Sequence, residues 1–232
     1  MRALVLVAMV GLGGCFPSEP LITWSPLPQM GGGQGAVRIG QIVNRREPKK
    51  GGDDLNRVGN ARSGWGIPYP VSAMDGNYGV PQPVDQTLRR FVEQSLVASG
   101  INPAGYGPAT STMIIEVNEL WFDGYMNYNV KLALDLVILD PSNNSIRARV
   151  PLRSEGNAGH WRAAFDQAFT SAHNAAAGAF RDPQIRAALV AGGLPPPAAP
   201  PGAAAPADVG GCTKDTDCKG DRVCNRGRCV DP

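Results

Sequence analysis

Histidine is almost missing from this chain: His160 and His173 are the only two among 232 residues. Both fall in one helical stretch but on different faces, without a carboxylate or cysteine at ligand spacing. They therefore support neither a nucleophile–base set nor a metal site. Carboxylates offer no substitute, because Glu116 and Glu119 lie in a strand, where a three-residue spacing sends them to opposite faces. A dominant charge is missing as well. The formal net charge is +2, no basic stripe runs along the chain, and no nucleic-acid partner is expected. The nearest cluster, Arg45-Arg46-Glu47-Pro48-Lys49-Lys50, is broken by Glu and Pro and reads as a solvated loop. Gly31 to Gly35 (GGGQG) lacks the Lys-Ser/Thr ending of a phosphate loop. No apolar run reaches the about 20 residues of a spanning helix. These absences predict a protein that is not an enzyme and that needs no cofactor and no metal.

What is present starts at the N-terminus. Met1-Arg2 precedes an uncharged apolar segment, Ala3 to Gly14, of signal-peptide length. It closes on Leu12-Gly13-Gly14-Cys15, which resembles a bacterial lipobox. The resemblance implies removal of residues 1–14, a diacylglyceryl group on the Cys15 thiol and a further acyl chain on its new amino group. Two or more chains make membrane attachment stable. Phe16, rather than Asp, follows the cysteine, a pattern that resembles outer-membrane sorting. The expected location is the outer membrane, lipid-anchored and facing the periplasm, with the cell surface as the alternative. Residues 15–36 read as the lipidated N-terminus and a proline-rich tether. Inside it, Leu21-Ile22-Thr23-Trp24 is predicted to dock as a short edge strand.

Residues 37–193 form the expected domain. Val37 to Val43 alternates apolar and polar and predicts a first strand. Val84, Leu88, Phe91, Val92 and Leu96 share a helical face that Gly100 is placed to end. Thr110 to Trp121 predicts a second strand. Tyr128, Val130, Leu132, Leu134, Leu136 and Ile138 then alternate without a break, which makes this strand the predicted centre of the fold. After the turn residues Asp140 to Ser145, Ile146 to Arg153 alternates apolar residues with Arg147, Arg149 and Arg153. Those arginines read as a solvated sheet face whose neighbours are Asp135 and Glu116. His160 to Phe180 is helical, followed by a short helix to Val190. The predicted fold is α+β: strand, helix, three-stranded antiparallel meander, helix. Residues 44–82 show no period and read as a long loop, functional or partly disordered, unless a strand lies hidden near Gly64 to Val71; they carry Trp65, Tyr69 and Tyr78. These side chains are expected either to cap a sheet edge or to bind a partner.

Several of these features together resemble the YajG-type bacterial lipoproteins. The resemblance rests on a strand ending near Asn44-Arg45-Arg46, a helix ending in Ser99-Gly100, and Glu116-Val117 with Glu119-Leu120. It continues through the long alternating strand and a closing helix with Asp182 before its tail. It implies an envelope setting and no catalytic residue. Residues 194–211 are nearly all Pro, Ala and Gly and read as a semi-rigid linker. Residues 212–232 read as a disulfide-stapled knob built on Cys212, Cys218, Cys224 and Cys229. A calcium loop starting at Asp215 fails, since Lys219 and Arg226 stand where oxygen ligands belong. The spacing resembles small Dickkopf N-terminal-like cysteine-rich repeats, which implies contacts rather than chemistry. The function expected from all this is an envelope scaffold or adaptor that binds a protein partner at the outer membrane. The alternative is an accessory carrier of a lipid or small ligand, held in an apolar cleft between sheet and helices. Alkylation followed by intact-mass analysis should label the four tail cysteines only after reduction. Complete labelling without reductant would refute the two disulfides.

Overall fold

The computed structural model describes residues 19–30, 33–63, 65–75, 79–105, 107–125 and 127–190, with two short strands of the tail. The predicted signal peptide, Cys15, Tyr78, the 194–211 linker, Cys212, Cys218 and the side chains of Cys224 and Cys229 lie outside the described residues. The chain divides into two units, Met1–Leu194 and Pro195–Pro232.

The first unit is a mixed α+β domain. Its elements are β1 (Gln34–Asn44), β2 (Arg57–Arg62), β3 (Pro68–Ser72), α1 (Val84–Val97), β4 (Ile101–Pro103), β5 (Ser111–Gly124), β6 (Tyr128–Leu139), β7 (Ile146–Ala158), α2 (Trp161–Arg181) and α3 (Pro183–Val190). Seven strands share one sheet. The predicted central strand is displaced from that role, because β5 rather than β6 is the hub. One edge of β5 pairs antiparallel with β6 along its length, and β7 pairs antiparallel with β6. The other edge of β5 is divided: its first half pairs parallel with β1 and its last residues pair parallel with β2. Alternation alone marks a strand as half-buried; it does not count its neighbours.

Residues 44–82 are likewise not one continuous loop, and a strand does lie near Gly64 to Val71. They build β2 and β3, an antiparallel pair at the edge of the sheet. Pro68 and Pro70 sit in β3, the outermost strand, where a missing N–H costs no ladder bond. β4, three residues parallel to β1, was also not predicted.

The helices cover one face of the sheet. Met113, Ile115, Val117, Leu120, Val130, Leu132, Leu134, Leu136, Val150 and Leu152 point into the buried layer. α1 and α2 run parallel, as shown by successive contacts Phe91–Phe169, Ser95–His173 and Ser99–Ala177. Gly156 in β7 lets α2 settle on the sheet, since a Cβ there would lie 1.9 Å from the Ala164 carbonyl oxygen. Gly100, at φ +69°, turns the chain from α1 into β4.

Residues 19–30 form a strap along the two helices. Only Pro20 makes a β-bridge, to Val80, so the predicted edge strand at Leu21–Trp24 is replaced by side-chain packing. Leu21 and Ile22 are buried. The Trp24 ring stacks on Phe169 at 6.0 Å, meets Phe91 edge-on at 5.7 Å and donates its indole N–H to Gln94. A run of apolar residues in a proline-rich stretch has no sheet period to impose, so it buries area wherever an apolar helix groove is open.

The other face of the sheet is a lattice of ion pairs. Glu116 bridges Arg45 and Arg149, Asp135 pairs with Arg153, and Asp140 with Arg147. The Glu116 carboxyl is held below its usual range chiefly by the Arg149 hydrogen bond. Arg149 and Arg153 of β7 thus face Glu116 and Asp135, the neighbours expected for them, whereas Arg147 turns to Asp140, which was not expected.

Arg46 departs from the expected solvated loop. It is 5% exposed, and all five of its N–H groups are bonded. Nε donates to Asn44 Oδ1, Nη1 to the carbonyls of Arg57 and Leu120, and Nη2 to those of Asp54 and Leu55. Burial lowers its pKa to about 10, with Asp54 and Asp53 partly opposing the shift. Arg46→Ala should destabilise the domain by about 3–5 kcal/mol, since it strands buried carbonyls. Arg45→Ala, which removes an exposed ion pair, should cost under about 1 kcal/mol. Urea denaturation of the two variants checks the contrast, and equal effects would refute it.

In the second unit, Val223–Asn225 (β8) and Arg228–Val230 (β9) form an antiparallel pair with Cys224 opposite Cys229.

Candidate docking surface

The two histidines have structural places. His160 is the N-cap of α2, its Nδ1 accepting from the Arg162 backbone N–H. His173 is buried between α1 and α2, with Nδ1 2.6 Å from Ser95 Oγ. Ser95 also donates to the Phe91 carbonyl, which leaves Nδ1–H of His173 as the donor to Oγ. Nε2 is buried without a partner. The Ser–His pair is sealed inside the helix layer and out of reach of any substrate. The space between sheet and helices is filled by Phe91, Phe122, Phe165, Phe169 and Phe180, all fully buried.

What the fold leaves open is at its surface. Trp65 is 92% exposed, so it does not cap the sheet edge, the first of the two roles expected for it. It sits in the turn joining β2 to β3, closed by Ser63 N–H to the Ile67 carbonyl and Gly66 N–H to the Ser63 carbonyl. Ile67 and Tyr69 flank it, also exposed. The register brings this turn beside another one, because Ala61 of β2 lies opposite Gly124, the last residue of β5. There Tyr125, 55% exposed, stacks under the guanidinium of Arg62 at 4.9 Å. Nothing in the sequence pointed to Tyr125 or Arg62, since only strand register joins them to Trp65.

Other parts of the chain converge on the same end of the domain. β7 ends at Ala158, opposite Tyr128, and α2 begins three residues later. Arg162 in the first turn of α2 holds Glu19 through its carboxylate at 3.6 Å and its carbonyl at 3.4 Å. The described chain therefore begins at the end that carries Trp65, Ile67 and Tyr125. The opposite end holds the close of α3, where the Leu189 carbonyl accepts from Thr110 and Ser111 at the start of β5.

No protein-family model matches this chain, and no curated protein does. Among solved structures, it is similar to a protein of the DUF330 family from Xanthomonas campestris: 17% identity, 68% of this chain and 90% of that one, TM-score 0.49. A Caulobacter crescentus chain provisionally described as a lipoprotein shares 20% identity over 47% of this chain and 84% of its own, TM-score 0.31. A PelC dodecamer from Paraburkholderia phytofirmans shares 12% identity over 69% and 96%, TM-score 0.34. Overlaps at this level do not transfer function.

The buried imidazole generates a pH dependence. Desolvation lowers the His173 pKa from the ordinary 6.5, so below that pH the unfolded chain takes up a proton that the folded one resists. Stability should therefore hold above pH 6.5 and decline as the pH falls below it. His173→Phe keeps the Ser95–Phe91 bond and should flatten this slope in melting curves between about pH 4.5 and 6.5. An unchanged slope would assign the dependence to other groups.

Proposed function

We propose that this chain is a lipid-anchored, non-enzymatic scaffold or adaptor of the bacterial envelope, held at the outer membrane on its periplasmic side and binding a protein partner there. The observation that carries the reading is the strap. Among the described residues the chain is already held at Glu19, four residues after Cys15, and packs on through Leu21, Ile22 and Trp24. Four trans peptides span at most about 15 Å. Acylation of Cys15 would thus fasten a rigid body to the bilayer, as a scaffold requires, and not a domain at the end of a long leash. The solid interior favours this over the carrier alternative, which needs a cleft where Phe91, Phe165, Phe169 and Phe180 stand. The spacer and the cysteine-rich tail expected from the sequence offer a partner a second point of contact.

The N-terminal peptide of protein extracted from membranes should carry acyl mass on Cys15. Cys15→Ala should appear as soluble periplasmic protein or as uncleaved precursor in the inner membrane. Recovery of that variant in outer-membrane fractions would refute the reading. For the adaptor role, cross-linking of the full chain in intact cells should trap a discrete envelope protein that a chain ending at residue 193 captures less or not at all.

A further inference from the structure

Among the described residues, most of the exposed large apolar side chains, though not Met30 and Ile146 at the far end, stand at the end of the domain that receives the chain from Cys15. Trp65 is 92% and Ile67 64% exposed, Tyr125 is 55% exposed, and Val80 is exposed beside Pro20 at the strap's start. Sheet register places Trp65 and Tyr125 on adjacent turns, while Arg162 ties Glu19 to the first turn of α2 at the same end. Resting on the lipid anchor proposed for Cys15, we propose that this end meets the bilayer itself. Trp65, Ile67 and Tyr125 enter the headgroup region of the leaflet that holds Cys15 and give the domain a second, non-covalent membrane contact.

Chain length decides between a lipid surface and a protein as the occupant. Glu19 stands no more than about 15 Å from an acylated Cys15. A folded partner of 100 residues has a radius of gyration of about 13 Å, and so a diameter well above that gap. A bilayer needs no gap. The chemistry agrees. Trp and Tyr favour the interface because one part of the ring system is apolar and another can hydrogen-bond. Ile67 supplies an aliphatic group for the acyl boundary. Arg62, with its guanidinium over the Tyr125 ring, can keep that ring company while its N–H groups reach headgroup phosphates. A single covalent attachment leaves the domain free to swivel about Cys15. A second contact at the β2–β3 and β5–β6 turns fixes its tilt, which is what turns an anchored domain into an oriented one.

The test uses the acylated full chain in phosphatidylethanolamine/phosphatidylglycerol vesicles, with and without bromine on the acyl chains. Of the four tryptophans, Trp65 is the one exposed at this end, and its emission is the difference between the wild-type chain and Trp65→Phe. Most of that difference should be lost in brominated vesicles, and acrylamide should reach Trp65 less on vesicles than in the Cys15→Ala protein in solution. Equal bromine quenching of wild type and Trp65→Phe, or unchanged acrylamide access, overturns the proposal. Trp65 shielded in native outer-membrane vesicles but open to acrylamide on pure lipid would assign the surface to a protein and also overturn it. Mass spectrometry separates the two readings. An N-terminal peptide without acyl mass defeats the anchor and this contact together, whereas acylated protein with an unquenched Trp65 defeats the contact alone.

Discussion

A sheet edge has to be handed from one strand to another in this domain, and a single buried guanidinium makes that possible. β1 follows β5 as far as Asn44 opposite Val117, and β2 takes over at Gly59 opposite Phe122. Between them β5 presents the Leu120 carbonyl to no strand, and Arg46 Nη1 takes it. The same side chain gathers the carbonyls of Asp54, Leu55 and Arg57, so the chain leaving β1 is folded around Arg46 and delivered into β2. Unpaired buried carbonyls would cost about 1–3 kcal/mol each, which makes a five-donor fork the fitting solution where no single hydroxyl or amide would reach. Asn44 orients the fork through Nε and in turn bonds the carbonyls of Gly51 and Gly52. Because β2 is fixed in this way, the hairpin it forms with β3 stands on the sheet, and the turn that carries Trp65 has a rigid base.

Much of this was legible in the sequence, for an identifiable reason. β5, β6 and β7 each bury one face against helices and leave the other to water, so alternation is forced on them. α1 and α2 bury one stripe, so a helical period is forced as well. β2 and β3 are short, contain Gly59, Pro68 and Pro70, and lie towards an edge, where few positions are constrained from both sides. Their pattern is too brief to rise above the glycines and prolines around it. Arg46 was unreadable for a different reason. A buried arginine satisfied by backbone carbonyls has no partner side chain to betray it, and next to Arg45, Lys49 and Lys50 it looks like one more solvated cation. Of the docking candidates, Trp65 stood out as an aromatic in a glycine-rich stretch, but whether it capped the sheet edge or faced water was left open. Its neighbour Tyr125 depended on a strand pairing that had not been foreseen.

The two faces of the sheet divide the labour between stability and solubility. On the helix side, large apolar groups interlock, with aromatic contacts running from Trp24 through Phe91 and Phe169. On the other side, each of the exposed ion pairs contributes about 0–1 kcal/mol and is weakened by salt. Their effect lies elsewhere. Paired signs leave few charges on that face unmatched, and Arg153 and Arg149 stand opposite Ala133 and Val137, which are nearly buried there.

The parallel course of α1 and α2 leaves the domain with a near end and a far end along a single axis. The chain comes in at Glu19, beside the start of α2, and α3 closes where β5 begins. A 14-residue strand rising about 3.3 Å per residue is roughly 45 Å long before twist shortens it. The domain is therefore a post of set height. Only the sheet determines how high above the near end the chain beyond Val190 sets out.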